Sequence, residues 1–137
     1  MTIAIIGAGN MGGAVLAGLL EAGHAPESVI VVEAREEQAA ALREKHGIRT
    51  LPATDAVAEA DVVVLGVKPY GVVPVLESIA SSLRQGATVV SLAAGVPTSA
   101  MEPAVPDGVS VVRVMPNTPA LVGEGMSAVA GGAKATP

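Results

Sequence analysis

Gly7, Gly9 and Gly12, in the run Gly7-Ala8-Gly9-Asn10-Met11-Gly12, are spaced to hold a diphosphate against bare backbone. A pyrophosphate needs N–H donors that no Cβ screens, and free amides at the positive end of a helix dipole supply them. In this pattern Gly7 permits a tight turn off a strand. Gly9 lets the phosphates reach the backbone, and Gly12 allows a helix to pack close to a sheet. About 20 residues beyond Gly12 stands Glu33, where a carboxylate accepts hydrogen bonds from both hydroxyls of an adenosine ribose. Arg35, two residues on, suits instead the 2′-phosphate that distinguishes NADP from NAD, or is simply a solvated residue opening the next helix. The residue pattern leaves that choice open.

Three later stretches carry further candidates. Gly66-Val67-Lys68-Pro69 follows an apolar run, so Lys68 either faces a cofactor or an anionic substrate, or is solvated. Ala93-Ala94-Gly95 leaves room for a flat ring to approach the backbone, though it also reads as an ordinary strand-to-helix turn. In Met115-Pro116-Asn117-Thr118-Pro119 the two prolines are expected to prevent regular helix or sheet pairing and to hold a rigid loop. Asn117 and Thr118 are its side chains able to hydrogen-bond a ligand, and both are also common turn formers.

The elements that must position these residues alternate along the chain. Ile3 to Ile6 is a short apolar strand running straight into the glycine turn, and residues 14–20 read as helix, with Val15, Leu16, Leu19 and Leu20 on one stripe. Gly23 is placed to end that helix in a left-handed conformation. Strands are expected at 29–32, 48–51, 62–65, 88–92 and 109–114, with a last one, antiparallel at the edge, at 125–130. Between them fall helices at 36–45, with acids first and bases last to match the dipole, at about 54–60 with Thr54 or Asp55 as cap, and at 74–83 with Pro74 in its first position. A short turn of helix is expected around 98–102, and a further helix is expected to begin at Lys134. Strand–helix alternation with apolar strands predicts an α/β fold: a doubly wound, mostly parallel sheet, Rossmann-like, with helices on both faces.

Composition narrows the function classes. The 137 residues suit one domain, 1–137, and half of them are apolar, so a buried core is expected. That core must be built from Val, Ala, Leu and Ile, because Phe and Trp are absent. A net charge of −5 without a basic patch argues against nucleic acid or a membrane surface as partner. Without cysteine there is no disulfide or thiolate metal site, and His24 and His46, each beside a glycine, read as solvated loop residues, so no metal is expected. No apolar run approaches the ~20 residues that span a bilayer. The chain enters a strand with no basic leader, and a soluble cytoplasmic protein is expected.

Taken together, IIGAGNMG, GVKP, SLAAGV and VRVMPNTPALVGEGMSAVAGG resemble, in order and over essentially the whole chain, the amino-terminal domain of pyrroline-5-carboxylate reductases. The resemblance implies reduction of Δ1-pyrroline-5-carboxylate to L-proline, the last step of proline synthesis, by hydride from NADPH or, as the close alternative, NADH. It implies a cofactor held by Ile6, Gly7, Gly9, Asn10, Met11, Gly12, Glu33 and Arg35. The nicotinamide end would lie near Val67, Lys68, Pro69, Ala93, Ala94, Gly95 and Asn117. Lys68 and Asn117 are the residues here that would support catalysis. Members of that family are about twice this length and form homo-oligomers through a helical second half that supplies most of the substrate pocket. The chain is therefore expected to be a truncated, cofactor-binding half with little or no turnover of its own. Glu33 departs from the small polar residue common there, which sets NADPH preference against NADH. The rival expectations are a non-catalytic NAD(P)-binding module and a reductase akin to 3-hydroxyacid dehydrogenases; a methyltransferase fits the glycine run less well.

Overall fold

The computed structural model describes residues 2–7, 10–93, 95–116 and 127–131. Its strands are β1 (Ile3–Ile6), β2 (Val29–Val32), β3 (Arg49–Thr50), β4 (Val62–Leu65), β5 (Thr88–Ser91), β6 (Ser110–Pro116) and β7 (Ser127–Gly131). They form one sheet in the order β3-β2-β1-β4-β5-β6-β7. All pairings are parallel except β6 with β7. Helices α1 (Asn10–Glu21), α2 (Glu36–His46), α3 (Ala53–Glu59), α4 (Pro69–Ile79) and α5 (Thr98–Met101) fill the connections. The chain builds outward from β1 to β3 and then returns to the other side of β1 with β4. The crevice between β1 and β4 is thus a topological switch point, where open α/β sheets bind ligands.

Two apolar clusters account for the layers. Ile3, Ile5, Val29, Val31 and Val64 pack with Leu16 of α1, Ile48 and the half-buried Leu42 of α2. The alternate residues Ala4, Ile6, Ile30, Val63, Leu65, Val89 and Val111 pack with Ala56 and Val57 of α3, Val72, Leu76 and Ile79 of α4, and Met101 of α5. Alternation along a strand sends neighbouring side chains to opposite faces. With both faces covered, the central strands β1, β2 and β4 read as unbroken apolar runs.

Several boundaries differ from the sequence expectation, each for a physical reason. Helix α1 begins at Asn10 rather than at 14, so Gly12 and Gly13 join Gly18 inside it; packing of Leu16 and its neighbours against the sheet outweighs their propensity cost of about 1 kcal/mol each. It ends as expected: Gly23 has φ +101°, the His24 N–H donates to Leu19 O at 3.1 Å, and the Gly23 N–H to Leu20 O at 3.2 Å. Helix α2 extends to His46, which is a helical residue and not a loop one, and Gly47 closes it at φ +70°. Thr54 and Asp55 do not cap α3; they lie in its first turn, and the capping position is Pro52, which makes no side-chain cap bond. Pro69, not Pro74, is the first residue of α4, and Pro74 sits within that helix. The missing N–H is tolerated because Val72, Leu76 and Ile79 are fully buried around it. Helix α4 then stops at Ile79, and a single 3-10 turn, Ala80–Ser82, delivers Leu83 to the core. Pro116 was expected to lie outside sheet pairing; it is the last residue of β6 and stands opposite Ser127 of β7. A proline at a strand end gives up only its own N–H. The helix expected from Lys134 lies outside the described residues.

At the amino edge of the sheet, Asp61 ties three segments together. Its Oδ2 accepts from the Thr2 N–H at 2.9 Å and its Oδ1 from Arg84 Nη1 at 3.0 Å. Its backbone N–H donates to Thr2 O at 2.8 Å. Because the carboxylate is half-exposed, the ion pair itself is worth little, but the hydrogen bond fixing the start of β1 is not replaced in Asp61→Ala. That variant is expected to lose about 1–2 kcal/mol in urea unfolding, and an unchanged midpoint would refute this role.

Candidate functional site

One register row sets the geometry of the carboxyl edge. Ile6 is opposite Val32 on one side and Leu65 on the other, and Leu65 is opposite Ser91. The residues that leave these strands therefore emerge side by side: Gly7 from β1, Glu33 from β2, Gly66 from β4 and Leu92 from β5. Hydrogen bonds continue the ladder past the strand ends: Gly7 N–H to Val32 O at 3.1 Å, Gly66 N–H to Ile6 O at 2.8 Å and Leu92 N–H to Leu65 O at 3.0 Å. Four loops distant in sequence are thereby joined at one edge.

At the centre lies Gly7, with φ +85°. A Cβ built on it would stand 3.1 Å from the Gly66 carbonyl oxygen, 3.2 Å from its carbon and 3.4 Å from Val67 Cγ1. The position therefore requires glycine twice over, for its dihedral and for the closeness of the β4 exit. Ile6 beside it is buried, and Asn10, Met11 and Gly12 open α1 directly beyond. The first amides of an α-helix have no partner within the helix, so a helix opening at Asn10 beside this turn is suited to a diphosphate. Gly9, named from the sequence for the same task, lies outside the described residues.

Glu33 occupies the first position after β2. Its side chain is only 9% exposed, and its Oε1 accepts from both the backbone N–H and the Nε of Arg35, each at 3.1 Å. Burial pushes its pKa up, but the Arg35 backbone N–H, the guanidinium hydrogen bond and the guanidinium charge together outweigh this and hold it below the ordinary glutamate value. Glu33 is thus a fixed carboxylate acceptor. A depressed folded pKa means that the stabilisation is present at neutral pH and is lost as pH falls through the folded value. The stability gap between the parent and Glu33→Gln is accordingly expected to be widest near neutrality and to close in acid. A gap independent of pH between neutral and strongly acidic solution would contradict this.

Beside Glu33 opens a cavity of about 460 Å³ lined by Val32, Glu33, Ala34, Glu36, Ala39, Arg43, Thr50, Leu51, Pro52 and Ala53. Its floor is apolar and its acids and single arginine are polar handles, the composition that suits a flat heteroaromatic ring with a sugar attached. Arg35 is not part of this lining; its side chain is 70% exposed. Arg43 and Thr50 were missed from the sequence, where α2 read only as a dipole-matched surface helix and β3 as a plain strand. The available signal was the spacing of Glu36 and Arg43, two turns apart on one helix face.

On the other side of the switch point, Val67 is half-buried, Lys68 is exposed at the amino cap of α4, and Pro69 begins that helix. Ala93 is buried, its N–H donating to the Oγ of the fully buried Ser91 at 3.3 Å. Gly95 is exposed with φ +78°. The structure thus brings Ile6, Gly7, the start of α1, Glu33, Arg35, Val67, Lys68, Pro69, Ala93 and Gly95 to one edge of the sheet. Ala94, Asn117 and Thr118 lie outside the described residues. Among the described residues, no cluster of His, Asp or Glu has the makings of a metal site, and no helix is long and apolar enough to cross a membrane.

A family profile described as "NADP oxidoreductase coenzyme F420-dependent" matches residues 2–95. The chain is 45% identical over 135 residues to a pyrroline-5-carboxylate reductase of Corynebacterium melassecola, covering 96% of this chain and 50% of that protein. It is 40% identical over 137 residues to that of Escherichia coli strain K12, covering 98% and 51%. The solved structure of a pyrroline-5-carboxylate reductase from Coxiella burnetii superimposes with a TM-score of 0.92 at 32% identity, covering 98% of this chain and 51% of that one. The chain spans about half the length of the curated relatives it matches.

Proposed function

The chain belongs to the NADP oxidoreductase, coenzyme F420-dependent family, and from that premise we propose that it is the dinucleotide-binding domain of a pyrroline-5-carboxylate reductase. The observation that carries this reading is the Gly7 turn, whose positive φ and missing Cβ let the β1 exit lie against Gly66 at the β1/β4 crevice, with α1 opening at Asn10 and the Glu33 carboxylate one strand away. The relatives named above support the substrate: Δ1-pyrroline-5-carboxylate, reduced to L-proline. NADPH is the cofactor favoured by the family description, and NADH is the alternative that Glu33 keeps in view.

The described residues at this edge suit a dinucleotide. Gly7 and the start of α1 would hold the diphosphate, Glu33 and the adjoining cavity the adenosine, and the Val67–Pro69 and Ala93–Gly95 loops, with Asn117, the nicotinamide. The bound dinucleotide supplies the hydride, and the protein supplies position. Small residues at 93–95 let a planar ring lie close to the backbone. Lys68, exposed at the same edge, is suited to attract the carboxylate of the substrate. The domain assignment 1–137, the cytoplasmic location, the absence of nucleic-acid partners and oligomerisation through a further helical region are parts of the same proposal.

Titration calorimetry of the 137-residue chain with NADPH and NADH is the direct test. Saturable binding of one dinucleotide per chain is the expected result, with little pyrroline-5-carboxylate-dependent oxidation. Absence of binding at millimolar concentration would sink the reading.

A further inference from the structure

We propose that Arg43, rather than Arg35, is the cation that recognises the 2′-phosphate of NADPH in this chain; the inference rests on the dinucleotide reading given above. The position after β2 makes Arg35 the obvious candidate in sequence, but the structure commits that residue elsewhere. Its backbone N–H and Nε both close on Glu33 Oε1, and the rest of its side chain lies in solvent outside the cavity. Arg35 is better described as a positioning residue. It holds the Glu33 carboxylate in place and offsets its charge.

Arg43 stands in the cavity wall itself, sharing it with Glu33 and the apolar surface of Val32, Ala34, Leu51 and Pro52. Two contacts fix its guanidinium in advance of any ligand. Nη1 donates to Thr50 Oγ1, a residue of β3, and Nη2 donates to Glu36 Oε1 at 2.8 Å. The two contacts differ in kind. Thr50 is anchored in the sheet. Glu36 is an 81% exposed side chain on the first turn of α2, and such surface pairs are worth only about 0–1 kcal/mol. A dianionic phosphate carries more charge than the Glu36 carboxylate and competes for the same fork with paired, charge-assisted hydrogen bonds. Glu36 can rotate into water as the phosphate takes its place, while Thr50 keeps the guanidinium aimed. The arrangement also shows how a carboxylate at position 33 is compatible with a phosphorylated ribose: its charge is already met by Arg35, leaving Arg43 available to the ligand.

Adenosine 2′,5′-bisphosphate and 5′-AMP differ only in that phosphate, so calorimetric titration of both, followed by NADPH and NADH, isolates it. Arg43→Gln is expected to weaken the bisphosphate and NADPH by about tenfold or more, the worth of one hydrogen bond to a charged group. It should leave 5′-AMP and NADH within about twofold. Glu36→Gln removes the competing acid and is expected to tighten the bisphosphate alone, and because it does not touch Thr50 it serves even if Arg43→Gln folds poorly. Arg35→Ala is expected to show no phosphate-specific loss. Equal losses for both ligands in Arg43→Gln, unchanged bisphosphate affinity in Glu36→Gln, or a phosphate-specific loss in Arg35→Ala would each overturn the proposal. A parent chain that bound none of the four ligands would instead remove the dinucleotide reading on which it rests.

Discussion

Gly7→Val is expected to abolish dinucleotide binding and to destabilise the chain by about 3 kcal/mol, because two separate penalties meet at one atom. A side chain at φ +85° costs about 1–3 kcal/mol, more for a β-branched residue. The new Cβ would also lie 3.1 Å from the Gly66 carbonyl oxygen. That oxygen belongs to backbone and cannot rotate aside, and the Gly66 N–H is itself bonded to Ile6 O at 2.8 Å. Relief therefore requires the β1 and β4 exits to part, and their separation defines the crevice proposed above for the diphosphate. Gly23→Ala is the matched control. Gly23 also has a positive φ, +101°, but nothing lies within 4 Å of its missing Cβ, so about 1 kcal/mol of stability should be lost with binding intact. Urea midpoints and NADPH titrations of both variants provide the comparison. A Gly7→Val chain that bound NADPH like its parent would remove the crevice from the site.

Leu76→Ala should produce the largest loss of stability with no direct effect on ligand contacts. Leu76 is fully buried at the centre of the cluster that joins α4 to the sheet through Val63, Leu65 and Val89. Deleting its isobutyl group removes transfer free energy and leaves a cavity in a core that contains no Phe or Trp to shift into it. The expected cost is about 3 kcal/mol, within the range of about 2–5 for buried leucines. For a chain of this length that corresponds to a fall in Tm of roughly 10 °C. Helix α4 carries Lys68 and Pro69 at its start, so a secondary loosening of the nicotinamide side is also expected, seen as weaker NADPH binding with 5′-AMP binding unchanged. A Tm within about 2 °C of the parent would show that this helix is not part of the cooperative core.

Gly7 is marked by the sequence alone, because its constraint is local. A glycine forced by a strand-to-helix turn announces itself through its neighbours, and apolar runs buried on both faces are legible as composition. Strands β2 and β4 therefore match their predicted bounds, as does the glycine end of α1 at Gly23. Where competing local rules applied, the outcome was set by packing. Pro74 reads as a helix start, yet it lies within α4 because the burial of Val72, Leu76 and Ile79 outweighs one missing hydrogen bond. Pro116 reads as a loop residue and yet closes β6, since β7 requires no N–H from that position.

By itself the sequence determined the α/β alternation, the glycine turn and the acid after the second strand, since each depends on residues adjacent in the chain. Only the tertiary structure decided which charged groups line the cavity beside Glu33. Arg35 is two residues from Glu33 in sequence and lies exposed outside the cavity lining, whereas Arg43 comes from two turns along α2 and meets Thr50 across the edge of the sheet. The physical reason is that a side chain's direction is set by the helix or strand that carries it and by what packs opposite, and no local pattern encodes that pairing.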